Sequence, residues 1–352
     1  MNKFFLNWWK NIDQINIIII TILFLIGIIL SFSINISSSI INKHLIYALS
    51  SFLLMIIFSF LEIKILRRIA LFGLIFFFII LILVLLMNYE IKGSKRWLVF
   101  ANFSIQPSEF IKPFFLMVSA WFLSKGIQGQ KISMYIVFVT FFVIAGLIIL
   151  QPDLGMTLLL SISFFCQLFI AGLSLLFVFF AIMFLILISV FSYFKFEHVR
   201  DRVNNFLDPS ADTYQIDWSI KTFKSGGFLG KGPGQGILKE KIPDANTDFI
   251  FAVAGEELGY IGSSIIILLI LILVVRLLLN LLKIQKPDII IAIVGLTSCF
   301  GLQCLINIFS SLGIIPTKGM TLPLISYGGS SMISSAILFG FLISLTRKRE
   351  YD

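Results

Sequence analysis

The chain has 352 residues, of which 59% are hydrophobic and 13% charged, and it carries a net charge of +9 at pH 7. A mean hydropathy of +1.03 excludes an ordinary soluble domain and makes this an integral membrane protein. The basic excess does not point to nucleic acid, because the cations are split between two sides of a membrane and form no continuous stripe; anionic lipid head groups suit them better.

The apolar runs predict an all-α polytopic bundle of about ten transmembrane helices, each close to the roughly 20 residues that a hydrocarbon core of about 30 Å requires. In chain order they cover residues 14 to 35, 44 to 62, 69 to 89, 108 to 124, 132 to 150, 154 to 172, 174 to 195, 258 to 280, 289 to 312 and 327 to 346. The sixth and seventh are joined through "AGLS" and must form a tight hairpin. The first is too long and too plain for a cleaved signal peptide, with no small-residue cleavage site after it.

Short-loop cations set the orientation. With both termini cytoplasmic, the inner side holds Lys3, Lys10, Lys64, Arg67, Arg68, Lys125, Lys131, Arg276, Lys283, Lys286, Arg347, Lys348 and Arg349. The outer segments hold only Lys43, Lys92, Lys95, Arg96, Lys112 and Lys318, apart from one large extracytoplasmic loop, residues 196 to 257, between spans seven and eight. Long loops largely escape the charge rule. Cys166, Cys299 and Cys304 all lie in apolar spans, so neither a disulfide framework nor a metal site is implied.

Polar residues that solubility does not require gather on the outer side. In "KGSKRWLVFANFSIQPSEFIK" (92 to 112), Pro107 opens a helix, and Glu109 and Lys112 lie one turn apart on one face. A capped helix start with a local ion pair explains this as well as a binding role does. Arg96 beside Trp97 is commoner as an interfacial anchor than as a ligand contact, since both residues favour the head-group zone. Asp153, in "QPDLG" (151 to 155), fits a helix N-cap. The stretch "SGGFLGKGPGQG" (225 to 236) either bends freely or lets backbone N–H groups approach an anion. It is not a nucleotide phosphate loop, because Gly232 follows Lys231 where Ser or Thr is required. "SYGGSS" (326 to 331) suits close helix packing or, in company with Lys318, a site.

Together these motifs resemble the SEDS family of polytopic cell-wall glycosyltransferases. The resemblance runs through Arg96-Trp97, Gln106-Pro107-Ser108-Glu109 with Lys112, Gln151-Pro152-Asp153, Tyr214-Gln215, the Gly-rich stretch, Thr247-Asp248-Phe249, Glu256-Glu257-Leu258-Gly259 and Ser326-Tyr327-Gly328-Gly329-Ser330. The wording "PTKGMTLPLISYGGSS" is more like the division branch than the elongation branch. The resemblance implies a septal enzyme of the bacterial cytoplasmic membrane that polymerises lipid II into glycan strands and releases undecaprenyl pyrophosphate. It also implies a class B penicillin-binding protein and other division proteins as partners.

By the same resemblance Asp248 is the catalytic carboxylate, a role that suits the need for a base on a sugar hydroxyl. Arg96, Lys112, Lys231, Lys318 and the Gly-rich backbone are candidates to neutralise the pyrophosphate. Glu109, Asp153, Gln215, Asn246, Thr247, Glu256, Ser326 and Ser330 complete the expected substrate-binding set, with Glu256 also a brace for the loop's cations. A divalent cation, Mg or Mn, could bridge Asp248 and the pyrophosphate, though no dedicated cage is evident. Three positions depart from the family pattern: Asn246 stands where many members have His, Trp218 where a Gln is common, and Ser104 where some have a cation. The last shifts more of the expected anion neutralisation onto Arg96 and Lys112. Two other function classes fit such a chain: a lipid II transporter, which calls for ionisable groups near mid-membrane, and a non-enzymatic scaffold, which does not need Asp248.

Overall fold

The computed structural model describes residues 3 to 34, 38 to 87, 96 to 100, 103 to 173, 175 to 195, 200 to 201, 203 to 204 and 214 to 348. Lys92, Lys95, Arg349 and residues 205 to 213 of the long loop lie outside them. Each expected span has its helix: α2 (Gln14–Ser33), α3 (Ser38–Phe60), α4 (Ile63–Leu86), α5 (Pro107–Ile127), α6 (Lys131–Leu150), α7 (Leu154–Ile170), α8 (Leu175–Lys195), α10 (Ile250–Leu279), α11 (Pro287–Ser311) and α12 (Gly329–Thr346). Eight are long and apolar enough to cross a membrane; α7 and the Ile186–Lys195 part of α8 are shorter apolar helices. The sequence pattern did not anticipate α1 (Lys3–Asn11), the hairpin of β1 (Leu98–Phe100) and β2 (Phe103–Ile105), or α9 (Tyr214–Ser225). In α1, Trp8 is buried and stacks on Phe60 at 4.4 Å.

The bundle is built around α5 and α12, whose apolar stretches are 78% and 83% buried, against 22% for the outer α4. These two helices touch each other, and α12 also lies along α3 while α5 packs on α4 and α11. Burying such helices in lipid requires every backbone group to find a partner inside the protein. Pro113, inside α5, has no N–H to give to the Glu109 carbonyl four residues back. The Ser334 hydroxyl on α12 donates to that carbonyl at 2.6 Å, so the defect in one inner helix is repaired by the other. Gln167 of α7 ties three helices in the same way. Its amide donates to the carbonyls of Leu116 (2.7 Å) and Ile291 (3.2 Å), and its oxygen accepts from Ser119 at 2.6 Å.

The sequence places the start of span eight at residue 258, whereas α10 begins at Ile250 and is broken at Gly259, where φ is 68° and ψ is −169°. In an unbroken helix Tyr260 and Ile261 would donate to Glu256 and Glu257. Here Tyr260 donates to Gly227 (2.9 Å) and Ile261 to Phe228 (3.2 Å), while the Glu256 and Glu257 carbonyls accept from Lys231 (2.9 Å) and Gly232 (3.0 Å). The Gly-rich loop thus supplies what the break removes. The contact is backbone on backbone: a Cβ added at Gly259 would sit 2.3 Å from the nitrogen of Gly230, and one at Gly230 would sit 2.1 Å from the Glu257 carbonyl oxygen.

At the opposite end of α10, Arg276 clamps Asp13 before α2 at 2.7 and 2.9 Å, and Arg67 of α4 pairs with Asp288 of α11. Gly259→Ala is expected to destabilise the protein by about 2 kcal/mol or more, because its φ/ψ region is open almost only to glycine. Gly146→Ala in α6, where an added Cβ meets nothing within 4 Å, serves as the control. Thermal unfolding in detergent should show a lower midpoint for the first and none for the second.

Candidate active site

At the end of the bundle where α5, α7 and α12 begin, the helices enclose a cavity of about 510 Å³ lined largely by polar residues. Its floor starts from α7, whose 17 residues reach only about 25 Å and fall short of a full apolar layer. Asp153 caps that helix, accepting from the Met156 N–H at 3.1 Å. The capping reading of Asp153 therefore holds, and the same carboxylate also faces the cavity. Gln106 approaches it at 3.4 Å and Arg96 at 3.7 Å. Arg96 is anchored as well, donating to the carbonyls of Gln151 (3.2 Å) and Pro152.

Lys318 lies on the loop between α11 and α12 and lines the same cavity. Burial pushes its ammonium below the ordinary lysine range, and the nearby Asp153 carboxylate works in the opposite direction. Asp248 belongs to the turn that leads into α10. Its N–H donates to the Asp244 carbonyl at 3.1 Å, and its own carbonyl accepts from Asn307 at 2.8 Å. The carboxylate is next to the loop that carries Lys318: a Cβ on Gly319 would lie 3.4 Å from Asp248 Oδ2. Two cations, Arg96 and Lys318, thus face one recess together with four acids, Glu109, Asp153, Asp244 and Asp248.

Of the expected residues, the cavity wall brings together Asp248, Arg96, Glu109, Asp153, Gln215, Thr247, Lys318 and Ser330. Ser330 also accepts from the Gln106 N–H at 3.0 Å, tying α12 to the start of α5. The other five sit elsewhere. Lys112 lies one turn deeper, buried, with its ammonium on Glu109 (2.7 Å) and Gln303 (2.6 Å). Lys231 pairs with Glu256 at 2.7 Å, away from the cavity. Glu256 is fully buried and accepts from the N–H groups of Ile237 (3.1 Å), Leu238 (3.0 Å) and Lys239 (2.9 Å). It braces the loop, as one of its expected roles had it. In the Gly-rich stretch the N–H groups of Lys231 and Gly232 donate to α10, and those of Gly230 and Gln235 donate within the loop. Ser326 accepts from the Leu322 N–H (2.8 Å) and donates to the Thr247 carbonyl (2.6 Å), and Asn246 accepts from the Tyr327 N–H at 2.9 Å. Both act on the backbone that carries Thr247 and Asp248.

Asn307 and Gln303 are the residues that sequence reading missed. They lie one turn apart on one face of α11, inside a run taken as apolar filler. Asn307 donates to the carbonyls of Asp248 and Met320 (2.6 Å), and Gln303 donates to that of Thr321 at 3.2 Å. A buried amide pair at this spacing in a membrane span is itself a signal, since such groups are costly in lipid without a task. Between them they hold the two chain segments that carry Asp248 and Lys318. Among the described residues no group of three or more His, Cys, Asp or Glu side chains is placed to hold a metal ion. A divalent cation here would draw most of its ligands from substrate oxygens and water.

A family model described as "Cell cycle protein" (FtsW/RodA/SpoVE) matches residues 13–351. The "Probable peptidoglycan glycosyltransferase FtsW" of Caulobacter vibrioides is 37% identical over 355 residues, covering 97% of this chain and 91% of its own. The protein of the same name from Buchnera aphidicola is 34% identical, covering 92% and 86%. A solved structure described as "Structural coordination of polymerization and crosslinking by a peptidoglycan synthase complex" superposes with a TM-score of 0.80 at 27% identity, over 98% of this chain and 100% of the other. The RodA structure from Thermus thermophilus gives 0.74 at 24% identity over 98% and 99%, a likeness of fold.

The two acids have separable tasks. Removing the buried Glu256 carboxylate leaves Lys231 and three backbone donors unpaired, so Glu256→Ala should cost about 3 kcal/mol or more. Asp248→Ala, on a half-buried turn, should cost less than about 1 kcal/mol. Melting curves of the two variants in one detergent check the difference.

Proposed function

The chain belongs to the FtsW/RodA/SpoVE family of cell cycle proteins, and from that premise we propose that it is a peptidoglycan glycosyltransferase that polymerises lipid II during septal wall synthesis. The observation that carries the reading is the cavity in which Asp248 faces Arg96 and Lys318 at the outer end of an apolar bundle. A lipid-borne donor matches that arrangement in parts: a sugar beside the carboxylate, a pyrophosphate on the cations, a polyprenyl tail among the helices.

In the proposed step the acceptor's 4-hydroxyl attacks the donor's anomeric carbon with inversion. Asp248 accepts the hydroxyl proton as the new C–O bond forms. The bond to the pyrophosphate breaks, and undecaprenyl pyrophosphate leaves with the electron pair. Arg96 and Lys318 stabilise the charge that develops on it, and they do so most effectively where water is scarce. Asn307, through the carbonyls of Asp248 and Met320, fixes the distance between base and cation. The inner membrane, cytoplasmic termini and a class B penicillin-binding partner complete the proposal. Its support is the cation distribution of the sequence and the likeness to a chain from a peptidoglycan synthase complex.

Purified protein with its penicillin-binding partner and labelled lipid II should form glycan strands, and Asp248→Ala should lose at least about a hundredfold of that activity. Full polymerisation by the variant would sink the assignment, and translocation without polymer in the wild type would point to a transporter. Lys318 loses its charge as pH rises through a pKa below the ordinary 10.5, so the rate should fall on the alkaline side within that range. Lys318→Arg should move this limb to higher pH in the same assay. Depletion in cells tests the septal role: filaments support it, and rounding supports elongation instead.

A further inference from the structure

We propose that the groove between α4, α5 and α6, with the basic rim at its Lys125 end, binds an anionic phospholipid of the cytoplasmic leaflet. One acyl chain lies in the groove and the phosphate lies on the rim. This site is distinct from the cavity that holds Asp248.

The groove encloses about 310 Å³, with walls such as Leu71 and Phe78 of α4, Phe115 and Phe122 of α5, and Val139 and Val143 of α6. Its polar side chains are already engaged. The Ser119 hydroxyl donates to Gln167 at 2.6 Å, and the Thr140 hydroxyl donates within α6 to Ile136 at 2.7 Å. What it offers a ligand is therefore hydrocarbon, which fits an acyl chain and leaves the choice among lipids to the head group.

At one end the same three helices turn basic. Arg67 and Arg68 precede Leu71 by about one helical turn, Lys125 follows Phe122 by about one turn, and Lys131 precedes Ile136 by about 7.5 Å along α6. The Lys125 ammonium is 5.6 Å from the ring of Phe122, a groove wall, and 4.3 Å from that of Trp121, which Arg67 also approaches at 5.8 Å. A cation is thus fixed at the mouth of the hydrocarbon slot, beside an aromatic side chain of the kind that sits at head-group level.

The acids near this rim are already answered. Asp288 pairs with Arg67, and Glu62 lies in the field of Arg347. Among the described residues no acid pairs with Arg68, Lys125 or Lys131. The surplus positive charge faces the side that short-loop cations assign to the cytoplasm, where basic pockets between helices suit anionic lipid heads. A zwitterionic lipid could fill the groove but would not answer the charge. The charge therefore commits the site to a phosphatidylglycerol-type or cardiolipin-type occupant rather than to a partner's apolar helix.

Native mass spectrometry of the full chain, delipidated in detergent and titrated with phosphatidylglycerol or phosphatidylcholine of matched chains, reads the site directly. Phosphatidylglycerol should be retained at least about tenfold more tightly, and Lys125→Gln with Lys131→Gln should erase most of that preference. Thr140→Trp, which fills the groove and leaves the rim intact, should reduce retention of both lipids. Lys283→Gln with Lys286→Gln, on another loop of the same side, should leave binding unchanged. Equal retention of the two lipids, or undiminished retention by the rim pair or by Thr140→Trp in well-folded protein, overturns the proposal. A groove that accepts neither lipid but is protected by the partner's transmembrane helix overturns it too.

Discussion

The arrangement hinges on the exchange of backbone hydrogen bonds at Gly259. A helix inside a bilayer cannot be interrupted unless something replaces the bonds it gives up. Here the replacement is the Gly-rich loop. Four bonds cross between residues 227 to 232 and residues 256 to 261, and Glu256 closes the structure from within by holding Lys231 and the segment 237 to 239. Because α10 breaks, its first turns need not continue the line of the span. They lead back to Phe249 and Asp248, which line the cavity.

A second set of contacts converts that geometry into a site. Asn307 and Gln303 hold the carbonyls of Asp248, Met320 and Thr321, and Ser326 holds that of Thr247. Asp248 and Lys318 therefore come from different parts of the chain but are referenced to one helix, α11. Such indirect positioning suits the proposed reaction, in which a carboxylate and a cation must keep a set separation.

The span count and order were legible because lipid imposes a simple rule on composition, and the positions of Asp248 and Lys318 were legible because polar residues stand out against that filler. Other features depend on tertiary partners. Nothing local in "SGGFLGKGPGQG" says that its backbone pairs with another helix; only Gly259, 29 residues beyond Gly230, reveals the need. Lys112 looked like a phosphate ligand because it is a cation near an outer end, yet one helical turn places it below the cavity on Glu109. The capping role of Asp153 is legible because an N-cap is a local device, whereas its place on the cavity wall beside Arg96 and Gln106 is implied only by the resemblance. Ser334 could be found only by asking where the carbonyl orphaned by Pro113 goes.

A structure of the Asp248→Asn variant with lipid II bound tests the central claim most directly. The account predicts the pyrophosphate against Arg96 and Lys318, with the acceptor's 4-hydroxyl within hydrogen-bond range of the side chain at 248 and directed at the donor's anomeric carbon. A pyrophosphate seated on the Gly-rich loop beside Lys231, with the Asp248 recess empty of sugar, would contradict it.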